Sequence, residues 1–572
     1  MVDLDASADA AVGSAQWRRT AAALAATAVV GSALVQLAIG ERHLNPDAAS
    51  YLAIARHWSD GEWSAAVNGY WSPLLSFVLA PVAAVGGPLV AGARALMVLT
   101  AGASVVALLH LLRTVGVRHP IATAVALGSV PFVMFAALDN ITPDLGMAAL
   151  LLAFTAGILD PRAHPVVTGV LGGAAFLAKA YALPFVLAFT FTMAAASWVA
   201  TLRAGGDGRR VLARFATIGS VIAAIALAWS IAVSVDAGRP TFSTASEYSR
   251  RITAHGSLGD PYGWAGLIEP AEPTAFWGWE DPPGMLDSLD GVEGIDPGDE
   301  LSDPDAQARR LRGSPTRFDR IIDNADATVR SAALVAGPAV AAPVVVAWAA
   351  WSSVRRGRRR RPSGVEADEG DEAVAPLAPE AVAADGPGAI VGREAVLGLA
   401  AAAAIYVGGL LALTVLPRYL FYALLVAVAV AAVGLEALRA HSRPIALVAV
   451  ALVVVAGAVR PAVALGRLAE ATESVEAVDE LLTDVALDGA RVASMPLMLT
   501  EVGSRCLEAG CVYLGQPRTD SDQTVAQQLR DHRVDLVVVR APRVADLPAG
   551  SELVARSDDG SREVHDVSDL HR

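Results

Sequence analysis

Two short stretches of this chain share one local grammar, Asn45-Pro46-Asp47 and Thr142-Pro143-Asp144. In each, a residue suited to cap a helix precedes a proline suited to its first position, and the aspartate then falls in the first turn. An acid so placed is not needed as the cap, and its carboxylate is left to face a ligand. The competing role is structural, because acids in a first turn complement the helix dipole whatever else they do. Asp139 is a third acid nearby, readable as a second site acid or as an ordinary interfacial residue. The matching cations are Arg94, Lys179 and Arg418. A lysine offers a phosphate a point charge, and an arginine holds one through paired hydrogen bonds. Each has an ordinary alternative: Lys179 can snorkel to the headgroups from the hairpin Gly172–Tyr181, and the arginines can contact lipid.

The elements that must position these groups are membrane helices. The chain has 572 residues, 54% hydrophobic and 18% charged, with a mean hydropathy of +0.47. Uncharged runs such as 21–40 match one bilayer crossing. That run is too long for the apolar part of a signal peptide, and Arg18-Arg19 precede it as an anchor. The net charge of −14 collects in two hydrophilic segments and the tail, which gives no basis for a nucleic-acid partner. Lys179 is the only lysine among 44 basic residues, a bias that codon usage alone could produce.

About eleven spans are expected, at 20–40, 90–112, 120–138, 143–159, 165–178, 182–202, 214–235, 331–352, 394–416, 418–437 and 444–459. Residues 1–19 form a short N-terminal segment and residues 20–459 the membrane domain. Arginines crowd one set of loops, including the 355–361 cluster. The positive-inside rule therefore places the N-terminus in the cytoplasm, and Asp47, Asp144, Lys179 and Arg418 at the outer face of a plasma membrane. The apolar piece 73–87 is too short to cross and reads as a helix dipping from the outer loop 41–89.

Outer loop 236–330 carries Tyr262, Trp264, Trp277 and Trp279, then ten acids without a base from Glu280 to Asp305. That run lacks the ligand order of an EF-hand and reads as a solvated loop. The aromatics of loop 41–89, Trp58, Tyr70 and Trp71, suit interfacial anchoring or stacking on a sugar. His57 reads as a surface residue. The stretch 353–393 reads as a disordered cytoplasmic linker. Residues 460–572 read as a small extracytoplasmic α/β domain, with strands at 491–495, 511–514 and 535–539 and helices at 499–507 and 523–530. Cys506 and Cys511, the only cysteines, fall there and could pair.

The ordered set resembles the GT-C membrane glycosyltransferases, in the branch of the protein O-mannosyltransferases and the lipid A aminoarabinose transferase. The resemblance covers roughly residues 20–440. It rests on Asp47 with Tyr51, Ser72-Pro73-Leu74, Arg94, Thr142-Pro143-Asp144-Leu145, the Gly-rich hairpin ending at Lys179, and Arg418-Tyr419-Leu420. It implies a polytopic all-α fold and an inverting transfer of sugar from a polyprenyl-phosphate donor to a cell-envelope glycan, lipid or protein. Asp47 would be the general base and Asp144 would orient the acceptor or the loop. Arg94, Lys179 and Arg418 would neutralise the lipid phosphate, with Tyr51, Asp139 and Tyr419 as further substrate contacts. Relatives with paired acids bind a divalent cation; the single acid at Asp47 leaves no cofactor assigned and the cation as an open alternative. The rival functions are a transporter or lipid flippase, and a catalytically inactive assembly subunit. Transporters usually place polar groups at the bilayer midplane between repeats, whereas the charges here cluster at span ends.

Overall fold

The computed structural model describes residues 4–39, 46–243 except 68, 393–410, 417–439, 442–451 and 478–571; the last segment has gaps at 479, 496–501, 503–504, 507–508, 510, 515–523 and 542. The acidic run and aromatics of loop 236–330, the span at 331–352 and the linker 353–393 lie outside the described residues or at their edge, as do Asn45 and the side chain of Arg418.

The chain is a bundle of apolar helices followed by a small β-containing domain. In order come α1 (Leu4–Ile39), α2 (Pro46–Asp60), α3 (Trp63–Ala66), α4 (Leu74–Ala84), α5 (Leu89–Thr114), α6 (His119–Asp139), α7 (Asp144–Leu159), α8 (Pro165–Ala178), α9 (Ala182–Arg203) and α10 (Gly208–Asp236). Then follow α11 (Arg393–Leu410), a 3-10 turn at Pro417–Leu420 and α12 (Phe421–Arg439). Among the described residues, six helices are long and apolar enough to cross a membrane: Ser14–Ala38 within α1, together with α5, α6, α9, α10 and α12.

The expected count of about eleven is therefore corrected among the described residues. The segments at 143–159 and 165–178 do form apolar helices, but α7 has 16 residues and α8 only 14. At 1.5 Å per residue they reach about 24 and 21 Å, short of a hydrocarbon layer of about 30 Å. The apolar stretch Leu397–Val407 within α11 is also short, and the span at 444–459 is described only to residue 451. The piece expected to dip is the 11-residue α4, too short to cross.

Close helix contacts are made by small residues, as membrane bundles require when apolar burial cannot distinguish lipid from protein. A Cβ on Gly169 of α8 would lie 2.7 Å from Val221 and 2.9 Å from the Ile218 carbonyl of α10. One turn on, a Cβ on Gly173 would meet Ile225 at 2.5 Å. Gly102 of α5 lets α1 approach in the same way, with Val29 2.8 Å from where its Cβ would sit. α7 runs through the middle of the core, with Met147, Leu151, Leu152 and Phe154 fully buried.

The last domain holds a five-stranded sheet in the order β2-β1-β3-β5-β4. Strands β1 (Arg491–Met495), β2 (Val512–Tyr513) and β3 (Leu536–Arg540) are parallel. β5 (Arg562–Asp566) runs antiparallel to β3, and β4 (Glu552–Arg556) forms the edge beside it. The first three strands lie where the sequence places them, within a residue or two. Helix α13 (Val525–Asp531) begins at a capping box in which Thr524 and Gln527 satisfy each other's backbone N–H groups. The expected helix at 499–507 is described only in part. The hairpin β4–β5 was not expected from the sequence. Cys506 and Cys511 form a disulfide.

Candidate functional site

Asp144 and Lys179 meet where α7 begins and α8 ends. Asp144 is fully buried, and its Oδ2 lies 3.7 Å from Lys179 Nζ, whose side chain is 12% exposed. The Tyr181 hydroxyl donates to the other carboxylate oxygen, Oδ1, at 3.1 Å. Lys179 therefore does not snorkel away from the bundle; its ammonium turns inward to a carboxylate that offsets the cost of burying it. The backbone explains how. α8 stops because Lys179 turns extended, at φ −151° and ψ 126°, and the next N–H, of Ala180, donates to Ser72 Oγ at 3.0 Å.

The start of α7 differs from expectation by one residue. Thr142 was expected as the cap and Pro143 as the first helical residue. Instead Pro143 occupies the cap position without any side-chain cap bond, and Asp144 opens the helix. The reason is local: the Thr142 N–H donates to the Asn140 carbonyl at 3.1 Å, a turn that keeps residues 140–142 out of the helix. The first motif behaves as expected, since α2 begins at Pro46 with Asp47 in its first turn.

Helix α2 docks beside the ion pair. Tyr51, fully buried, lies with its ring centroid 5.7 Å from Lys179 Nζ, a cation–π contact. Its carbonyl accepts from Ser76 Oγ of α4 at 2.8 Å, and its ring meets Trp71 edge to face at 5.0 Å. Asp47 is one turn before Tyr51 on the same face of α2, a spacing of about 5–6 Å between Cβ atoms, and it is half-buried. Ser72 and Ser76 thus tie the loop of the first motif to the hairpin carrying Lys179. An aromatic ladder runs from Trp63 of α3 to Trp58 of α2, Phe77 of α4 and Trp229 of α10, with centroids 4.7–5.9 Å apart. His57 pairs with Glu62 at 2.6 Å.

Arg94 and Asp139 belong to a neighbouring cluster. Arg94 is buried on α5, and its guanidinium donates to the Leu138 carbonyl at 2.8 Å, in the field of Asp139 at the end of α6. Asp139 also accepts from the Asn140 side chain. Tyr419 sits in the 3-10 turn of Arg418; its carbonyl accepts from Tyr406 of α11 at 2.7 Å, and its ring lies 5.2 Å from that of Tyr181. The structure thus brings together Asp144, Lys179 and Tyr51, with Tyr419 reached through Tyr181. Sequence reasoning assigned no role to the side chains of Tyr181, Tyr406, Ser72 and Ser76. The available signal was proximity, since Tyr181 is two residues past Lys179 and Ser72 opens a quoted motif.

Among the described residues, no group of three or more His, Cys, Asp and Glu side chains is placed to hold a metal ion. What the site offers is a half-buried carboxylate, a cation oriented by a second carboxylate, and aromatic walls.

The sequence matches no protein-family model and no curated protein. Among solved structures, the chain is similar to ArnT from Cupriavidus metallidurans bound to undecaprenyl phosphate, with a TM-score of 0.53, 15% identity, and coverage of 97% of this chain and 99% of that one. It is also similar to the apo Archaeoglobus fulgidus oligosaccharyltransferase, with a TM-score of 0.47, 13% identity, and coverage of 91% of this chain and 70% of that one. The first likeness shows the fold: the chain has the fold of that ArnT structure, with several helices long and apolar enough to make it a multi-pass membrane protein.

Proposed function

We propose that the chain is a membrane glycosyltransferase that moves a sugar from a polyprenyl-phosphate donor to a cell-envelope acceptor at the outer face of the plasma membrane. The N-terminus is then cytoplasmic and the last domain extracytoplasmic. The observation that carries this reading is the buried Asp144–Lys179 pair, with Tyr51 of the Asp47 helix packed under its ammonium, at one end of a GT-C bundle. The fold neighbour with the higher TM-score was solved bound to undecaprenyl phosphate, a ligand of the chemistry this end of the bundle suits.

The chemistry follows from the placement. Asp47 takes the proton of the acceptor hydroxyl as that oxygen attacks the anomeric carbon. The bond from the anomeric carbon to the phosphate oxygen breaks, its electron pair leaves with the lipid phosphate, and the anomeric centre inverts. A positioned base of this kind contributes about 10²–10⁴-fold. Lys179 and Arg418 stabilise the charge growing on the departing phosphate, and Arg94, engaged at the end of α6, adds to the field there. Asp144 orients Lys179 and, through the loop before α7, the acceptor side. Tyr51, Asp139 and Tyr419 border the substrates. Residues 236–330 and 460–572 select the acceptor.

The test is transfer from radiolabelled polyprenyl-phosphate sugars to a cell-envelope fraction by the purified protein and by Asp47→Asn. Loss of turnover with donor binding retained supports the base role; unchanged turnover removes Asp47 from it. Lipid flipping or solute uptake without any transfer would overturn the enzyme reading altogether.

A further inference from the structure

Two tyrosine hydroxyls bracket the site, Tyr181 at the end of the Lys179 hairpin and Tyr406 on α11. Tyr181 donates to Asp144 Oδ1 at 3.1 Å, while Lys179 approaches Oδ2 at 3.7 Å, so the two carboxylate oxygens have separate partners. Tyr406, buried on α11, donates to the backbone carbonyl of Tyr419 at 2.7 Å. The Tyr181 ring lies 5.2 Å from that of Tyr419 and 6.5 Å from that of Tyr406. Contacts therefore run without a break from Lys179 through Asp144 and Tyr181 to the turn Pro417–Leu420, which contains Arg418. These pieces come from distant parts of the chain, and no helix carries both ends of the path.

Resting on the reading of Lys179 and Arg418 as the phosphate cations, we propose that Tyr181 and Tyr406 are positioning residues that clamp the Lys179 hairpin to the Pro417–Leu420 turn. Tyr181 fixes the carboxylate that aims the ammonium. An ammonium carries three donors, so its pairing with one carboxylate oxygen leaves capacity for a phosphate. Tyr406 holds the turn by its backbone, which sets where the following helix and the preceding Arg418 begin. A lipid phosphate binding between hairpin and turn then meets donors whose spacing is already set, and loses less affinity to ordering them.

The experiment uses the full-length protein in nanodiscs and undecaprenyl phosphate as the probe, with Lys179→Met, Tyr181→Phe, Tyr406→Phe and the double phenylalanine variant. Phenylalanine keeps each ring in place and removes only the hydroxyl. Lys179→Met is expected to weaken binding strongly. Tyr181→Phe should weaken it about ten-fold, as loss of a hydrogen bond to a charged group implies, and Tyr406→Phe several-fold. Because the two act through one path, the double variant should lose less than the product of the single losses. Unfolding midpoints, read alongside, separate positioning from general loosening of the fold. If Lys179→Met weakens binding but Tyr181→Phe does not, or if the two hydroxyl losses multiply independently, the clamp is refuted and the phosphate reading stands. If Lys179→Met binds as the parent does, the phosphate reading fails and the clamp fails with it.

Discussion

Replacing Lys179 by methionine keeps most of the side chain's length and removes its charge, leaving the Asp144 carboxylate fully buried beside the Tyr181 hydroxyl. At 3.7 Å and an effective dielectric constant of about 20, the lost attraction is about 4–5 kcal/mol. Breaking a buried pair by removing one partner costs about 3–5 kcal/mol, a matching figure reached from measured variants. Neither group is exposed enough for solvent screening to shrink this much. Adding Asp144→Asn removes the orphaned charge while keeping an oxygen to accept from Tyr181, so the double variant should regain most of the lost stability. The assay is reversible unfolding in mixed detergent micelles, read by tryptophan fluorescence, for the parent, both single variants and the double. Sugar transfer is followed in parallel and should stay low in all three variants, because restoring stability does not restore the cation. A Lys179→Met variant within about 0.5 kcal/mol of the parent would refute the energetic pairing, since surface pairs contribute only about 0–1 kcal/mol. Additive single losses would refute it equally.

Gly169→Ala should destabilise the bundle by about 1–3 kcal/mol, because its Cβ meets a backbone carbonyl that cannot swing aside. Gly219→Ala on α10 has open space and should be neutral or slightly stabilising in the same micelle unfolding assay. Arg214→Gln removes donors to the Gly157 and Asp160 carbonyls, 2.6 and 2.8 Å away at the end of α7, and should cost about 1–3 kcal/mol. In the last domain, the hydrogen bond from His565, helped by Arg556, holds the Glu563 carboxyl below its usual range despite its burial. Its contribution to stability is thus complete above the ordinary glutamate value of about 4.3 and is lost as pH falls through the lowered one. Amide exchange in β4 and β5 should accelerate in that acid range more than in β1, and Glu563→Gln should abolish the difference.

The charged members of the site were legible as residue types because ionisable groups are rare in apolar helices and each stood at a helix end. Their pairing was not legible. Asp144 and Lys179 are joined by the antiparallel packing of α7 on α8 and by the Ala180–Ser72 bond, neither of which leaves a periodic trace. The hydroxyls of Tyr181 and Tyr406 carried no signal for a related reason: an aromatic in or next to an apolar span reads as ordinary packing until its hydroxyl is seen to face a polar partner. The same limit produced the misplaced start of α7, where the Asn140–Thr142 turn outweighed cap preference. In the last domain the parallel strands announce themselves by runs such as Leu536-Val537-Val538-Val539. The edge hairpin is polar and mostly exposed on β4, so its pattern is weak. Its one available sign was Asp559-Gly560, a turn dipeptide with Gly560 at φ 67°.

The short helices give the site its physical setting. Both α7 and α8 fall several ångströms short of a hydrocarbon layer about 30 Å thick, and they stop at the same end of the bundle. Their other ends join through Asp160, Arg162 and His164, polar residues suited to an aqueous surface. On the proposed function, that loop sits at one membrane surface and the Asp144–Lys179 pair below the opposite one, where the dielectric is lower and a fixed charge acts more strongly on a phosphate. α7 is held at three levels: Tyr181 at its first residue, the Thr155–Tyr422 hydroxyl pair at 2.7 Å about three turns on, and Arg214 at its last turn. A rod pinned in this way keeps Asp144 still, which on the proposed function holds while the phosphate changes charge. A lysine fixed by such a carboxylate therefore has little reorganising to do at the moment the sugar leaves, which is the condition under which a cation lowers a barrier most.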